Sequence, residues 1–258
     1  MAVDGRLQGA LNAYGRRVLC FTVSPLHRII RTDTSAMTGR PPLKGSDSLI
    51  DRVAEAMGSN VGVGSPRIYS PTIDEILAWR RGLASKYRDQ LEEKLTWDEN
   101  STFEVSEDVG TSGDVMFHYV AAMLDQHEKS EVSTLIDASK PSTQEFDAVF
   151  AESDRRGFGG RFPHLLLGAN IWLPFKKHMM IEEPNWECRL DRYGSVFHLV
   201  DELTVVRAGI VDAQPSVIHS PAREGSGKVI ASAWQTSNTI LRLANIAVSK
   251  HLPLWTTG

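Results

Sequence analysis

The sequence has few of the residue types and patterns that mark well-characterised protein classes. It contains only two cysteines, Cys20 and Cys188, so we expect neither a disulfide framework nor a cysteine-rich zinc site. No apolar run approaches the ~18 residues of a transmembrane helix. The first residues include an acidic side chain, Asp4, and no long apolar block, so they do not resemble a secretory signal. We therefore expect a cytoplasmic protein that does not enter a membrane.

Complete cofactor-binding and catalytic motifs are also missing. The stretch REGSGKV (223–229) resembles a phosphate-binding loop, but Ala222 stands where that loop needs glycine. Val229 stands where it needs a serine or threonine to bind magnesium. No G-x-S-x-G segment occurs, so a serine hydrolase would lack its usual nucleophile turn. The sequence therefore predicts no cofactor.

The composition is that of an ordinary globular protein. Hydrophobic residues make up 41% of the 258 residues and charged residues 23%, which is close to the average for folded domains. A chain of this length buries enough surface to fold without disulfides or metals. We expect one domain spanning residues 1–258, with a possible sub-domain boundary near residues 154–163.

Hydrophobic periodicity predicts an α+β fold that is predominantly helical. Val18–Val23 has the β-branched and aromatic residues typical of a short strand. Apolar residues recur at helical spacing in several segments, the clearest of which has Ser70 as its predicted N-cap and Pro71 at its first position. The predicted helices cover residues 3–17, 48–57, 70–95, 114–128, 142–150, 195–210 and 228–250. A small antiparallel sheet or hairpin is expected in the C-terminal half, and residues 215–220 are read as a strand or extended loop.

That hairpin is predicted to lie in the stretch GANIWLPFKKHMMIEEPNW (168–186). Residues 170–175 and 178–183 both alternate like strands, and they would pair across Lys176 and Lys177. Pro174 favours an edge strand. On an edge hairpin we expect Trp172, Met180 and Trp186 to be half exposed, and such side chains are common at protein interfaces. The alternative is that they simply fill the core.

Charge is distributed unevenly along the chain. Residues 45–155 hold ten basic and twenty-two acidic residues, whereas the segments on either side are net basic. The acidic excess could be the solvated faces of helices, or it could form a surface that attracts a basic protein. The second interpretation predicts a cytosolic, non-catalytic protein-binding protein, for example an immunity-like or antitoxin-like neutraliser of a basic partner. Its predicted protein-binding residues are Asp89, Glu92, Glu93, Asp98, Glu99, Trp172 and Trp186.

The alternative function is a metal-dependent hydrolase. His198, Asp201 and Glu202 are spaced at i, i+3 and i+4, so they share one face of a predicted helix. His178, from the neighbouring hairpin, could complete a site with them. The same spacing also occurs by chance on solvated helices, and we predict that these residues bind no metal. His164 follows Pro163 and is read as a turn residue rather than a catalytic base.

Two further interpretations are weaker. Arg155, Arg156 and Arg161 are interspersed with glycine and phenylalanine, a mixture that can contact RNA or phosphate. Because the run is short and the chain carries a net charge of −4, we predict no nucleic-acid partner. A structural protein of a phage or another assembly is the remaining functional alternative.

Overall fold

The computed structural model describes residues 20–29, 31–33, 67–127, 131–132, 143–218 and 228–257. The helices predicted over 3–17 and 48–57, the N-cap predicted at Ser142 and the REGSGKV stretch lie outside this part of the chain, apart from the last two residues of that stretch. Within it, none of the helices has the length and apolar character needed to span a membrane.

The described elements form an α+β fold, as predicted. The strands are β1 (Cys20–Val23), β2 (Arg31–Asp33), β3 (Arg67–Tyr69), β4 (Val105–Asp108), β5 (Ile171–Leu173), β6 (Ile181–Pro184), β7 (Leu190–Ser195) and β8 (Leu254–Thr257). The helices are α1 (Ile73–Lys86), α2 (Arg88–Leu91), α3 (Thr111–Gln126), α4 (Thr143–Arg156), α5 (Pro163–Leu166), α6 (Val196–Ala213) and α7 (Lys228–Lys250).

The helix predicted from Ser70 begins two residues later. Thr72 is its N-cap, and Thr72 and Glu75 form a reciprocal capping box that satisfies two backbone N–H groups. Tyr87 interrupts the helical conformation and separates α1 from α2. The helical region ends at Glu92, which adopts a left-handed conformation with φ 59°, rather than at residue 95. Leu91 is buried, as expected for a packing residue of this region.

The other long helices confirm the periodicity argument. The predicted helix 114–128 corresponds to α3, and the predicted helix 228–250 has the bounds of α7. Ser195 caps α6 by accepting a hydrogen bond from the His198 backbone N–H. The strand or extended loop predicted over 215–220 is wrong for Pro215–Ile218, which form a 3₁₀ turn after the non-helical residue Gln214, and residues 219–220 lie outside the described part of the chain.

The main sheet differs from the predicted hairpin. Its six strands run in the order β4-β1-β8-β5-β7-β6, and β2 and β3 form a separate pair. Strand β7 lies between β5 and β6, pairing parallel with β5 and antiparallel with β6. The two segments predicted to form a hairpin therefore do not pair with each other. The sheet is mixed, and β1 and β4 join it from the N-terminal half.

Trp172 corrects the prediction of an exposed edge. Strand β5 is an inner strand, and all three of its residues are buried. Trp172 is only 3% exposed, and its ring stacks on Phe21 with centroids 5.9 Å apart. The predicted half-exposure holds for Met180 and Trp186. The edge strands of this sheet are β4 and β6, so Pro174, which follows the inner strand β5, does not mark an edge strand.

Successive residues of a strand contribute side chains to two separate apolar cores, one on each face of the sheet. The helical core packs α3, α6 and α7 on the sheet, and its central residues are Val120, Leu124, Trp172, Leu199, Leu203, Ile240, Ala244 and Leu254. The small core packs α1 and α2 on the sheet, and it consists of Leu26, Ile29, Ile76, Leu83, Leu91, Leu95, Trp97, Ile171, Leu173, Phe175, Ile181, Tyr193 and Trp255. The sheet thus separates the two groups of helices.

Candidate functional site

The parallel pair of strands brings two predicted site residues together. In the β5–β7 register, Leu173 lies opposite Ser195, so both strands end at the same edge of the sheet. His178 follows β5 and His198 lies in the first turn of α6, directly after β7. The carboxyl ends of parallel strands are the usual place for ligand sites in sheets that helices cover.

Three imidazole rings converge at this edge. The ring centroids of His164 and His178 are 5.3 Å apart, those of His164 and His198 are also 5.3 Å apart, and those of His178 and His198 are 4.7 Å apart. The Phe158 ring lies 4.7 Å from His178 and 5.6 Å from His164. His164 is fully buried, His198 is half-buried, and His178 and Phe158 are exposed. The histidine cluster, defined as His164, His178 and His198, therefore reaches the surface on the side of His178.

Ser195 fixes the relative positions of two of these histidines. Its backbone N–H donates to Nδ1 of His164 at 3.0 Å. Its hydroxyl oxygen accepts from the backbone N–H of His198 at 3.3 Å, and the hydroxyl donates to the carbonyl oxygen of Phe175. One buried residue thus holds His164, the helix that carries His198 and the segment that leads to His178.

Gly194 allows these groups to approach closely. A Cβ atom at this position would lie 2.6 Å from Trp172 Cδ1 and 3.3 Å from His164 Nδ1. Trp172 in turn donates from Nε1 to the carbonyl oxygen of His164 at 2.8 Å. Only glycine leaves room for the indole and the imidazole beside this strand.

Glu202 binds the backbone of the short helix α5 through hydrogen bonds. Its two carboxyl oxygens accept the backbone N–H groups of His164 at 3.0 Å and Leu165 at 2.9 Å. These bonds satisfy donors that a helix N-terminus otherwise leaves unpaired. Burial, with repulsion from Asp125 and Asp201, outweighs these hydrogen bonds and raises the pKa of Glu202 to about 8.

The hydrogen bond from Ser195 determines what His164 can do. Because Nδ1 accepts a backbone N–H, the neutral ring carries its proton on Nε2. Burial, followed by repulsion from His198 and His178, lowers the pKa of His164 to about 3, so the ring stays neutral near pH 7. Its Nε2 atom is buried and has no hydrogen-bond partner among the described residues. His164 is therefore a neutral hydrogen-bond donor.

His198 is the same tautomer, but its other ring nitrogen is the one left available. Its Nε2 lies 2.7 Å from the Lys176 carbonyl oxygen, which can only accept a hydrogen bond, so Nε2 carries the proton. In the neutral ring Nδ1 then has a free lone pair. The nearest Asp201 oxygen is 3.8 Å from Nδ1, too far for a hydrogen bond but close enough to stabilise a charged imidazolium. His198 is therefore oriented as a proton acceptor.

A metal ion could be bound by His164 and His178 of the histidine cluster together with Glu202. One possible ligand atom from each of His164, His178 and Glu202 lies within 4.8 Å of the other two. Imidazole and carboxylate groups together suit Zn²⁺ or Fe²⁺. However, His164 has no free lone pair while it accepts the Ser195 N–H, and breaking that bond would leave a buried donor unpaired at a cost of about 1–3 kcal/mol. The hydrogen bonds thus favour His164 as a donor over His164 as a metal ligand.

The structure brings together three of the four residues proposed for the hydrolase alternative. The His178 and His198 rings are 4.7 Å apart and His178 and Glu202 have possible ligand atoms within 4.8 Å, whereas the Asp201 side chain is 78% exposed and belongs to no such ligand group among the described residues. The prediction that His164 is a turn residue is wrong, because it lies in α5 and is fully buried. The apolar run that follows it, Leu165–Leu167, is a signal that this segment is buried.

The residues predicted to bind a basic partner do not all lie at the surface. Asp89, Glu92 and Asp98 are exposed and Glu93 is half-buried. Glu99 is only 2% exposed. Its buried carboxylate accepts hydrogen bonds from the His27 backbone N–H at 2.7 Å and from the indole N–H of Trp97. Its predicted exposure is therefore wrong, as it is for Trp172. The neutraliser hypothesis itself stays a prediction.

Comparisons with known proteins do not indicate a function for this site. The chain matches no protein-family model, no curated protein and no solved structure. The donors, acceptors and distances of the histidine cluster are therefore the observations on which a function is proposed.

Proposed function

We propose that the protein is a hydrolase in which His198 is the general base and His164 orients the attacking water. The observation that carries this proposal is that two neighbouring imidazoles use different ring nitrogens to bind the protein: His164 uses Nδ1 and leaves Nε2–H available, and His198 uses Nε2 and leaves Nδ1 available. His164 presents a fixed N–H donor and His198 presents a lone pair. A water molecule that attacks a substrate needs one group to position its oxygen and another to accept its proton, and this pair supplies both.

The reaction follows ordinary general acid–base chemistry. The water oxygen accepts the Nε2–H of His164 and transfers a proton to Nδ1 of His198 as it bonds to a carbonyl carbon or phosphoryl phosphorus. The bond to the leaving group then breaks, and His198 returns the proton to the leaving-group oxygen. Asp201, 3.8 Å from Nδ1, stabilises the transient imidazolium. The partly exposed Phe158 and His178 flank the position where a substrate would enter.

The role of His178 is to keep His198 available as a base. Burial, followed by repulsion from His198, lowers the pKa of His178. Because two adjacent imidazolium ions repel each other, a neutral His178 lets His198 be the one that takes up the proton during the reaction.

Removal of the base tests the proposal. His198→Gln should lower the hydrolysis rate of chromogenic carboxylic esters or phosphodiesters at least about 10²-fold, the usual contribution of a general base. The matched control is His251→Asn, which changes an exposed histidine at the end of α7 and should leave the rate unchanged. Equal rates in His198→Gln and wild type, or no hydrolysis of either substrate class by wild type, would contradict the proposal.

A metal-dependent hydrolase is the second candidate, because His164, His178 and Glu202 lie within ligand spacing. A chelator distinguishes the two mechanisms. Activity that persists after treatment with EDTA supports the metal-free mechanism. Activity that EDTA removes and Zn²⁺ restores would instead support a metal mechanism, with the Ser195–His164 hydrogen bond exchanged for a metal bond.

A further inference from the structure

The carbonyl group that orients His198 belongs to a residue that is itself held from the other side. The backbone N–H of Lys176 donates to a carboxylate oxygen of Glu93, and the Lys176 carbonyl accepts the Nε2–H of His198 at 2.7 Å. These two bonds use the two backbone polar groups of one residue. Together they join the end of α2 to the histidine cluster.

The next residue is anchored in a different way. Lys177 donates from Nζ to Glu92 at 2.6 Å, so consecutive lysines contact consecutive glutamates. The Glu92–Lys177 pair joins two flexible, exposed side chains and constrains the backbone little. The Glu93 bond is made to the backbone itself and is charge-assisted, so it restricts where the Lys176 carbonyl lies.

We propose that Glu93 is a positioning residue of the site: it holds Lys176 so that the Lys176 carbonyl keeps His198 in the Nε2–H tautomer with Nδ1 free. This inference rests on the proposed function for its catalytic consequence. The tautomer itself follows from the hydrogen bonds alone, because the bond made by one ring nitrogen sets the state of the other. Without this anchor, the carbonyl moves and its hydrogen bond no longer strengthens the preference of His198 for the Nε2–H form.

Long-range ¹H–¹⁵N correlation spectra of the full-length protein measure the tautomer of His198 directly, without substrate. Wild type should show the Nε2–H form. Glu93→Ala should add a substantial population of the Nδ1–H form, whereas Glu93→Gln should restore the wild-type spectrum because its amide oxygen still accepts from Lys176. Glu92→Ala is the matched control and should leave the spectrum of His198 unchanged.

Activity gives the second measurement. Glu93→Ala should lower kcat by roughly tenfold with little change in KM, as expected when a catalytic group is misplaced rather than removed. Glu93→Gln should recover most of this loss, and Glu92→Ala should stay close to wild type. Failure of the proposed function would appear as inactive wild type, and the spectra would still test the anchor. A His198 that keeps the Nε2–H form in Glu93→Ala would overturn the inference.

Discussion

The two cores on either side of the sheet differ in size and in the elements that build them. Among the described residues, the helical core contains 30 buried residues and is built mainly from α3, α6 and α7, whereas the small core contains 13 and relies on α1 and the single-turn helix α2 with several aromatic rings. Protein cores are close-packed, so the cost of removing a side chain depends on how far its neighbours can collapse into the cavity. We therefore expect the larger helical core to contribute more of the stability than the small core.

The histidine cluster lies where elements from both sides meet. His164, His198 and Glu202 belong to helices that pack in the helical core. The segment that carries Lys176 and His178 is instead anchored by Glu93, which follows α2 on the side of the small core. The helical core thus carries the donor and the base, and the side of the small core holds Lys176, whose carbonyl orients His198.

The largest expected change in the free energy of unfolding comes from truncating one leucine in each core. Leu203→Ala should lower the free energy of unfolding by about 4 kcal/mol, and Leu91→Ala by about 2 kcal/mol. Both side chains are buried, but α2 is a single turn that can shift to fill part of the cavity. Chemical denaturation measures both values. Equal losses would show that the small core is as rigid as the helical core.

The second prediction concerns close packing at the site. Gly194→Ala should destabilise the protein by about 2–3 kcal/mol, because the new methyl group overlaps the Trp172 ring. The control is Gly82→Ala in α1, where no atom lies within 4 Å of the new Cβ and the loss of glycine should stabilise by about 0.5–1 kcal/mol. Thermal unfolding compares the two. Stabilisation by both substitutions would mean that Trp172 moves aside easily.

The third prediction follows from the raised pKa of Glu202. The folded protein keeps this proton up to about pH 8, whereas the unfolded chain loses it near pH 4.5. Stability is therefore full below the unfolded pKa and falls as the pH rises toward 8, by about 1.4 kcal/mol per pH unit at most. Between pH 6.5 and 8, the slope for Glu202→Gln should be smaller than for wild type in denaturation experiments. Identical slopes would mean that Glu202 ionises normally.

The smallest effect is expected at the residue that joins the two halves. Ser195→Ala removes the cap of α6 and the donor to Phe175, which should cost about 1–2 kcal/mol. The Ser195 backbone N–H remains, so His164 should keep its Nε2–H tautomer in nitrogen NMR spectra. A changed tautomer would show that the Ser195 side chain, and not only its backbone, sets the state of His164.

Local patterns in the sequence determined the helices. The periodicity of residues 228–250 marks α7, and the segment that follows Gly194 marks α6, because helix formation depends on contacts within a few residues. Helical spacing also identified His198 and Glu202 as candidates, with His178 as their neighbour. The pairing of β5 was predicted wrongly, because strand partners come from distant segments that alternation alone does not name.

The sequence by itself thus determined the fold class, the long helices and most of the residue types available for chemistry. Only the tertiary structure decided that β7 separates β5 from β6, that Trp172 is buried, and that His164 meets His178 and His198. The same holds for the tautomers, because Ser195 and Lys176 contact their imidazoles from 31 and 22 residues away. A histidine's chemistry depends on what its second nitrogen contacts, and that contact exists only after the sheet has assembled.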